Sequence, residues 1–385
     1  MLGQSSQKII EKIKIAAVGD IMLGDNPLCL GFGVKSKAAL NGYDYLFDEV
    51  RPIFKRNDLA VANLESVIAT PLPDERNDMW SVMNRGLDDA AESMKNGGIG
   101  LVSLANNHIF EHGPGTFQMT INNLDTAGIN HAGSLDKPYY IFEKNDKRIA
   151  FLAWSLLPDH YWPEKNPSDY YHLTETLAPI INEIALSKEN SDYVVLMLHW
   201  GYEFFGQPSR SQQKQAYQLI EAGADVILGH HPHVLQPVEE YQDGLIFYSL
   251  GNFIFDSWDE RTLNSVIVEL EFGTGVSYSY IPVEISSANY SPGICTEQRR
   301  INAIAAALEM GEIMDDETHA RTLQVYRNKF RKSVINFVLK NFYRYRTMDM
   351  LRLFKWGLAR ARYIKRIKDY ESNDPYIIYR GPMKG

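Results

Sequence analysis

Lys12-Ile-Lys-Ile-Ala-Ala-Val-Gly-Asp20 is an apolar, β-branched run that stops at a turn-forming glycine and a carboxylate. Such a run reads as a short buried strand, with Gly-Asp as its punctuation. The same grammar recurs downstream. Leu59–Ala62 leads into Asn63-Leu-Glu65, and Ile99–Leu104 into Ala105-Asn-Asn-His108. Tyr193–Leu198 leads into His199-Trp-Gly201, and Val226–Leu228 into Gly229-His-His-Pro-His233. Every one of these strands ends in side chains able to hold a metal.

Between the strands, helical patterns cover about Tyr43–Phe54, Leu87–Asn96, Gly115–Ala127, Thr174–Ser187 and Ser211–Ala222. Several stop at glycine, as in Ala127-Gly128 and Ala222-Gly223, the residue that most readily follows a last helical turn. Strands alternating with helices predict an α/β fold around a largely parallel sheet. In such sheets ligands bind beyond the carboxyl ends of the strands, so polar clusters far apart in sequence converge on one edge. After Asp256, Asn264–Phe272 and Ser277–Ile285 read as a hairpin through Gly273-Thr-Gly275. Ala288–Thr296, rich in turn formers, reads as a linker, and Arg299 to about Tyr370 as helical. The expected division is one domain over residues 1–287, then a linker and a basic amphipathic helical region over 288–385.

Hydrophobic residues make up 45% and charged residues 23% of the chain, which excludes a disordered polymer. No apolar run approaches the roughly 18 residues that a membrane span requires. Met1–Lys14 lacks the apolar core of a secretory signal, and two cysteines make no disulfide framework. A cytoplasmic protein is expected, with attachment to the inner membrane face left open by its tail. The net charge of −9 conceals an asymmetry: Arg321–Lys368 carries fifteen Lys or Arg against one acid, Asp349. That leaves 24 of the 39 basic and 47 of the 48 acidic residues for the remainder. An acidic body carries a basic tail.

Imidazole nitrogen and carboxylate or amide oxygen hold transition metals, and a hydrolytic site keeps a position open for water. Alone, Asp20 reads equally as a helix cap, Glu65 as a solvated loop acid and His199 as a core histidine. Their joint appearance at successive strand ends is what points to a metal centre. His231-Pro-His233 is the most specific local feature. In an extended segment an alternating pair places both imidazoles on one side, and the proline keeps that segment out of the helical region. Trp200, Tyr202, Phe204 and Phe205 read either as a substrate wall or as packing beneath the loop. Asp159–Glu164 reads as a lid or a long connection, and Gly251-Asn252 as a tight turn.

Gly19-Asp-Ile-Met-Leu-Gly24, Ala62-Asn-Leu-Glu65, Leu104-Ala-Asn-Asn-His108, His199-Trp-Gly-Tyr-Glu203, Ala222-Gly-Ala-Asp225, Gly229-His-His-Pro-His-Val-Leu-Gln-Pro237 and Tyr248-Ser-Leu-Gly-Asn-Phe253 form an ordered set. Together they resemble the CapA family of bacterial capsule and poly-γ-glutamate synthesis proteins, itself similar to the calcineurin-like metallophosphoesterases. The resemblance covers about Ile13–Asp256 and the hairpin to Ile285. It implies a sandwich of two mixed sheets flanked by helices, with two divalent cations of the Mn, Fe or Zn kind. By the same resemblance Asp20 binds the first metal, and Glu65, or else Asn63, bridges the two. Asn107, His199 and His231 bind the second, and His233 returns to the first. His108 is then no ligand; it protonates the leaving group or steadies charge on the phosphate.

Two positions depart from the superfamily pattern. Asp-x-His usually ends the first strand, and here the third residue is Met22; the bridging position reads Asn-Leu-Glu in place of Gly-Asp. The first metal site is expected to be the weaker, with Glu111, His112 and Glu203 as possible substitutes. The function implied is a phosphoesterase-like hydrolase acting on a phosphorylated intermediate or anionic polymer in capsule, exopolysaccharide or poly-γ-glutamate biosynthesis. The alternative is a non-catalytic, metal-containing accessory subunit that binds the polymer or its membrane synthase. No Walker-type loop supports an ATP-dependent ligase.

Beyond the resemblance, Phe330-Arg-Lys332, Phe337-Val-Leu-Lys340 and Phe342-Tyr-Arg-Tyr-Arg346 alternate apolar and basic residues. Three readings stay open. The apolar stripe packs on the acidic body while the cations pair with its carboxylates; the tail meets an anionic membrane surface or membrane synthase; or it binds an anionic polymer. No nucleic-acid motif accompanies the charge, so nucleic acid is not an expected partner.

Overall fold

Strand parity builds the interior. In the computed structural model, which describes residues 11–71, 82–157, 166–257 and 259–355, Ile149, Phe151 and Ala153 of strand Lys147–Ser155 join the central core. Their neighbours Ala150, Leu152 and Trp154 pack with Ile180, Ile184, Ala216 and Leu219 of two covering helices, Ala178–Lys188 and Arg210–Glu221. Tyr193, Val195 and Met197 alternate with Val194, Leu196 and Leu198 in the same way. Successive side chains point to opposite faces, so a strand buried on both faces reads as one unbroken apolar run.

The first sheet has the order Pro292–Ile294, Val276–Ile285, Asn264–Phe272, Ile13–Ile21, Leu59–Leu64, Leu101–Ser103, Asn130–Ala132, and Asn252–Ile254 also pairs with Ile13–Ile21. The second has the order Val238–Tyr241, Gly244–Phe247, Val226–His230, Tyr193–His199, Lys147–Ser155, Tyr139–Lys144. Each combines parallel and antiparallel pairs. The single, largely parallel sheet read from element order is therefore corrected to two mixed sheets, as the family resemblance implied. Alternation of strands and helices fixes which segments are strands but not which strands pair. Three of the site-bearing segments end strands of the first sheet and two end strands of the second.

Four of the five expected helices form close to their expected bounds. The fifth breaks at Pro52, which has no N–H to donate: a 3-10 turn at Asp44–Phe47 precedes a short helix at Arg51–Lys55. The Ala288–Thr296 stretch contains the edge strand Pro292–Ile294, paired with Val276–Ile285. Helices Gln298–Leu308 and Asp316–Lys340 follow, then helical residues 347–355. Asp159–Glu164 lies outside the described residues.

Two glycines let backbones touch where the site begins. A methyl group on Gly19 would lie 1.9 Å from the Gly251 carbonyl oxygen, and one on Gly229 would lie 2.1 Å from that of Tyr248. The Asp20 amide donates to Gly251 O at 2.9 Å in the same contact. Gly229→Ala is expected to lower stability by at least about 1–3 kcal/mol, because backbone cannot yield as a side chain does. A chemical-denaturation midpoint equal to that of the parent would contradict this close approach.

His131, buried on edge strand Asn130–Ala132, has its imidazole pushed down to about 4, first by burial and then by Lys137. Between about pH 6.5 and 4 the unfolded chain binds a proton that the folded chain refuses, so stability falls as pH falls through that window. His131→Phe should flatten the acid limb of the unfolding midpoint plotted against pH. An unchanged slope would locate the acid sensitivity elsewhere.

Candidate metal centre

Asp20 stands in register with Asn63 on one side and Asn252 on the other. Its carboxylate is wholly buried. Oδ1 accepts from Asn63 Nδ2 at 2.9 Å and lies 3.1 Å from His230 Nδ1. Oδ2 accepts from the His231 amide at 3.3 Å and lies 3.4 Å from His233 Nδ1. Groups from the second sheet thus close on an acid of the first. Burial pushes the Asp20 carboxyl up, but the hydrogen bonds and charges of His230 and His233 outweigh it and hold the group well below the usual range.

Glu65 follows strand Leu59–Leu64 directly, its amide tied to Ile21 O at 2.9 Å. It too is wholly buried, and among the described residues neither carboxylate oxygen has a hydrogen-bond donor. Around Oε1 stand His199 Nε2 at 3.6 Å, His233 Nε2 at 3.7 Å and His108 Nε2 at 3.8 Å. These separations are too long for hydrogen bonds. They lie near the roughly 3.0–3.5 Å between two ligand atoms that each sit about 2.1 Å from one cation. Burial, followed by the charges of Asp20 and Glu203, pushes Glu65 well above the ordinary carboxylate range. Burial and then the charge of His231 hold His199 well below the ordinary imidazole range, favouring the neutral ring that ligates metals.

Three sets of ligand atoms gather within 4.8 Å of one another: Glu65, His199 and His231; Asp20, Glu65 and His233; and Glu203, His231 and His233. Glu65 is common to the first two. Asn107 borders the first, with Oδ1 2.8 Å from His199 Nε2. The Asn63 amide is engaged otherwise: it donates to Asp20, and its Oδ1 accepts from Asn106 Nδ2 at 3.1 Å. The donor-free Glu65 carboxylate and the imidazole–carboxylate composition of these sets fit a divalent cation.

His108 stands beside the clusters with Nδ1 2.6 Å from Glu111 Oε1, and Asn84 Nδ2 donates to Glu111 Oε2 at 3.0 Å. Glu111 therefore orients His108. His112 Nε2 lies 2.9 Å from Met83 O, so that ring is directed to loop backbone. Phe204 and Phe255 flank His233, at ring separations of 5.5 and 4.8 Å. Trp200 is buried against Tyr248 and donates to its carbonyl at 3.1 Å, so it packs rather than walls the site.

The structure brings Asp20, Glu65, Asn107, His108, His199, His231 and His233 together, but not by the backbone geometry expected. His231 and His233 have φ of 96° and 57°. The segment is a bend with two residues of positive φ around Pro232, not an extended pair, so the turn and not strand parity aims both rings. Such conformations cost about 1–3 kcal/mol each and persist where the surroundings impose them. Here the His231 amide is fixed by Asp20 and Pro232 O accepts from the Phe204 amide at 2.7 Å.

His230 was passed over in the sequence, although it shares strand parity with core-facing Val226 and Leu228. Asn252, read only as part of a turn, places Oδ1 2.9 Å from His233 Nδ1.

The family described as bacterial capsule synthesis protein PGA_cap matches residues 14–257. The chain belongs to the PGA_cap family. That match takes in every residue of the three ligand sets. The capsule biosynthesis protein CapA of Bacillus anthracis is 31% identical over 296 residues, covering 73% of this chain and 70% of that protein. The PGA biosynthesis protein CapA of Bacillus subtilis (strain 168) is 30% identical over 334 residues, covering 80% and 83%. Likenesses to solved structures are distant. A novel phosphatase of Mycoplasma pneumoniae gives a TM-score of 0.46 at 12% identity, covering 76% of this chain and 98% of that one. The NAD nucleotidase of Haemophilus influenzae gives 0.41 at 13%, covering 84% and 60%.

For this PGA_cap member, Asp20→Ala and His231→Ala are expected to lose bound metal, measured by plasma mass spectrometry, while far-ultraviolet circular dichroism stays that of the parent. Full metal content in both variants would refute the centre.

Proposed function

We propose that this chain is a divalent-metal-dependent phosphoester hydrolase acting in capsule, exopolysaccharide or poly-γ-glutamate biosynthesis. The observation that carries the reading is Glu65: one buried carboxylate, lacking any donor, shared by a set with His199 and His231 and a set with Asp20 and His233. The names of the Bacillus relatives support the process; the clusters support the chemistry.

In this reading Asp20 and His233 hold a first cation, Asn107, His199 and His231 hold a second, and Glu65 lies between them. Mn, Fe or Zn suits such a donor set. Bound there, the pair supplies positive charge for phosphoryl oxygens and an activated water. The chain's own groups do the rest. Asn63 and His230 fix the Asp20 carboxylate, and Asn252 fixes the His233 ring. His108, oriented through Nδ1 by Glu111, presents Nε2 toward the clusters and delivers a proton to the leaving oxygen. Phe204 and Phe255 limit water around His233.

A second reading, a non-catalytic metal-containing accessory subunit that binds an anionic polymer or its synthase, is favoured by one feature. Met22 is fully buried at the position where the superfamily usually offers an imidazole.

One assay separates the two. Purified protein with added Mn²⁺ is expected to hydrolyse chromogenic phosphomonoesters or phosphodiesters. His108→Ala should keep its metal and lose about 10²–10⁴-fold in kcat, the usual worth of a positioned general acid. Glu111→Gln should lose less and shift the pH profile. Metal binding without turnover under any divalent ion would overturn the hydrolase reading in favour of the accessory one.

A further inference from the structure

The C-terminal extension has two apolar faces, and only one is covered. On the inner face Val334, Phe337, Tyr345 and Leu353 pack with Leu28, Cys29 and Phe32 of the body, and the Tyr345 hydroxyl donates to Leu28 O at 2.7 Å. On the outer face Ile335, Leu339, Phe342, Tyr343, Leu351 and Phe354 are 50–83% exposed. Large apolar side chains scattered singly need no explanation, but these six, exposed within residues 335–354 with Ile335 and Leu339 one helical turn apart, mark a contact surface.

The charge around this face is one-sided. Residues 331–355 hold seven Lys or Arg and one acid, Asp349. Asp349 is taken by Arg352 at 3.0 Å, and Arg321 pairs with Glu317 of its own helix. Among the described residues no ion pair joins a Lys or Arg of 331–355 to a carboxylate of the body; Arg300, nearer the start of the extension, pairs with Glu284 at 3.3 Å. The packing half of one expected reading is thus present, and among described residues 331–355 its charge-pairing half is not.

We propose that this outer face docks on an anionic lipid bilayer, lying in the interface and not crossing it. Charge complementarity selects the occupant. A second copy of the chain docked by the same face would bring the same seven cations against these. Residues 356–368 of this chain would add five more and no acid. Like charge opposes both. A soluble polyanion would satisfy the cations and leave the exposed aromatic and aliphatic side chains in water. An anionic membrane surface takes both, with apolar side chains among the acyl chains and Lys or Arg at the headgroups. Among the described residues no helix is long and apolar enough to cross a membrane.

Position gives the surface its consequence. The same helix, Asp316–Lys340, reaches the rim of the metal centre at its start. There His319 packs on Tyr202 and Phe205, and the Tyr326 hydroxyl lies 3.2 Å from Asp259 Oδ2. Its far end packs on the loop that follows Asp20 and Met22. One element thus touches both the Phe204 loop and the loop after the first strand, and its reverse face meets the bilayer. This inference does not depend on catalysis.

The test is flotation of the full-length protein with vesicles of phosphatidylglycerol and phosphatidylcholine, against phosphatidylcholine alone. Binding to the anionic vesicles only is expected, weakening as salt rises. Leu339→Ser/Phe342→Ser/Phe354→Ser and Lys332→Glu/Lys340→Glu/Arg346→Glu should each weaken it by about tenfold or more, with metal content and unfolding midpoint unchanged. Three results would overturn the proposal. One is no flotation with anionic vesicles. Another is flotation indifferent to the apolar triple variant and displaced by soluble polyglutamate, which assigns the face to a polyanion. The third is a concentration-dependent dimer that the apolar triple abolishes while vesicle binding stays absent.

Discussion

Glu65 has no exposed surface and no donor to either oxygen, and much of the site is arranged around that fact. Removing an ionised carboxylate from water costs several kcal/mol unless something compensates it. The three imidazole nitrogens around Oε1, at 3.6–3.8 Å, are too far away to do so by hydrogen bonding. His199 and His233, each in a ligand set that contains Glu65, stand at separations that make a cation in each set the natural compensation. Asp20 illustrates the contrast. It is equally buried, but it accepts from Asn63 and the His231 amide, and its pKa is driven the other way. Two acids within one site thus carry opposite shifts, and only the one without donors calls for a ligand from outside.

The sequence announced this site through its strand ends, for a mechanical reason. A buried strand must be apolar, so the first polar residues after it stand out, and a parallel connection puts them on one edge. Asp20, Glu65, His199, His231 and His233 stand out that way. Pairing between strands is invisible to such a reading, because every one of these runs is apolar whichever neighbour it takes. That is why two sheets were first read as one. The conformation at His231 and His233 was also hidden. Histidine tolerates positive φ better than most residues, but nothing in His-Pro-His distinguishes a bend from an extended pair. His230 could have been found by counting parity from Val226 and Leu228. The extension's inner and outer faces could not, since its apolar residues are too many for one stripe.

The extension also explains why the rim loops hold their shape. Between Asp25 and the start of helix Val34–Asn41 the chain has only the 3-10 turn Pro27–Cys29, yet Gly31 and Ser36 donate to Asp25 and Asn26 donates to Asp256. The Arg344 guanidinium lies over the Phe32 ring at 4.0 Å, and Tyr345 meets that ring edge-on at 5.1 Å. Packing from a distant part of the chain therefore completes the hydrophobic burial that a short loop cannot supply alone. At the other end Ser211 donates to Asp316, anchoring the helix beside the segment that carries Phe204. A helix of 25 residues spans about 37 Å, enough to bridge both loops as one rigid piece.

The two sets that share Glu65 are chemically unequal. One offers two imidazoles and a carboxylate, the other one imidazole and two carboxylates. Imidazole suits Zn, Fe and similar borderline ions, whereas carboxylate suits harder ions such as Mn. An imidazole at position 22 would have evened the two sets. Met22 is instead buried in the interior, its amide tied to Ile254 O at 2.8 Å. His230 belongs to none of the ligand sets, and its Nδ1 is turned to Asp20 Oδ1. What His230 supplies is a donor to the acid itself, which favours the charged form of Asp20. On the proposed reading, methionine at position 22 leaves the set of Asp20, Glu65 and His233 poorer in nitrogen and no less charged, and its carboxylate-rich character follows from that.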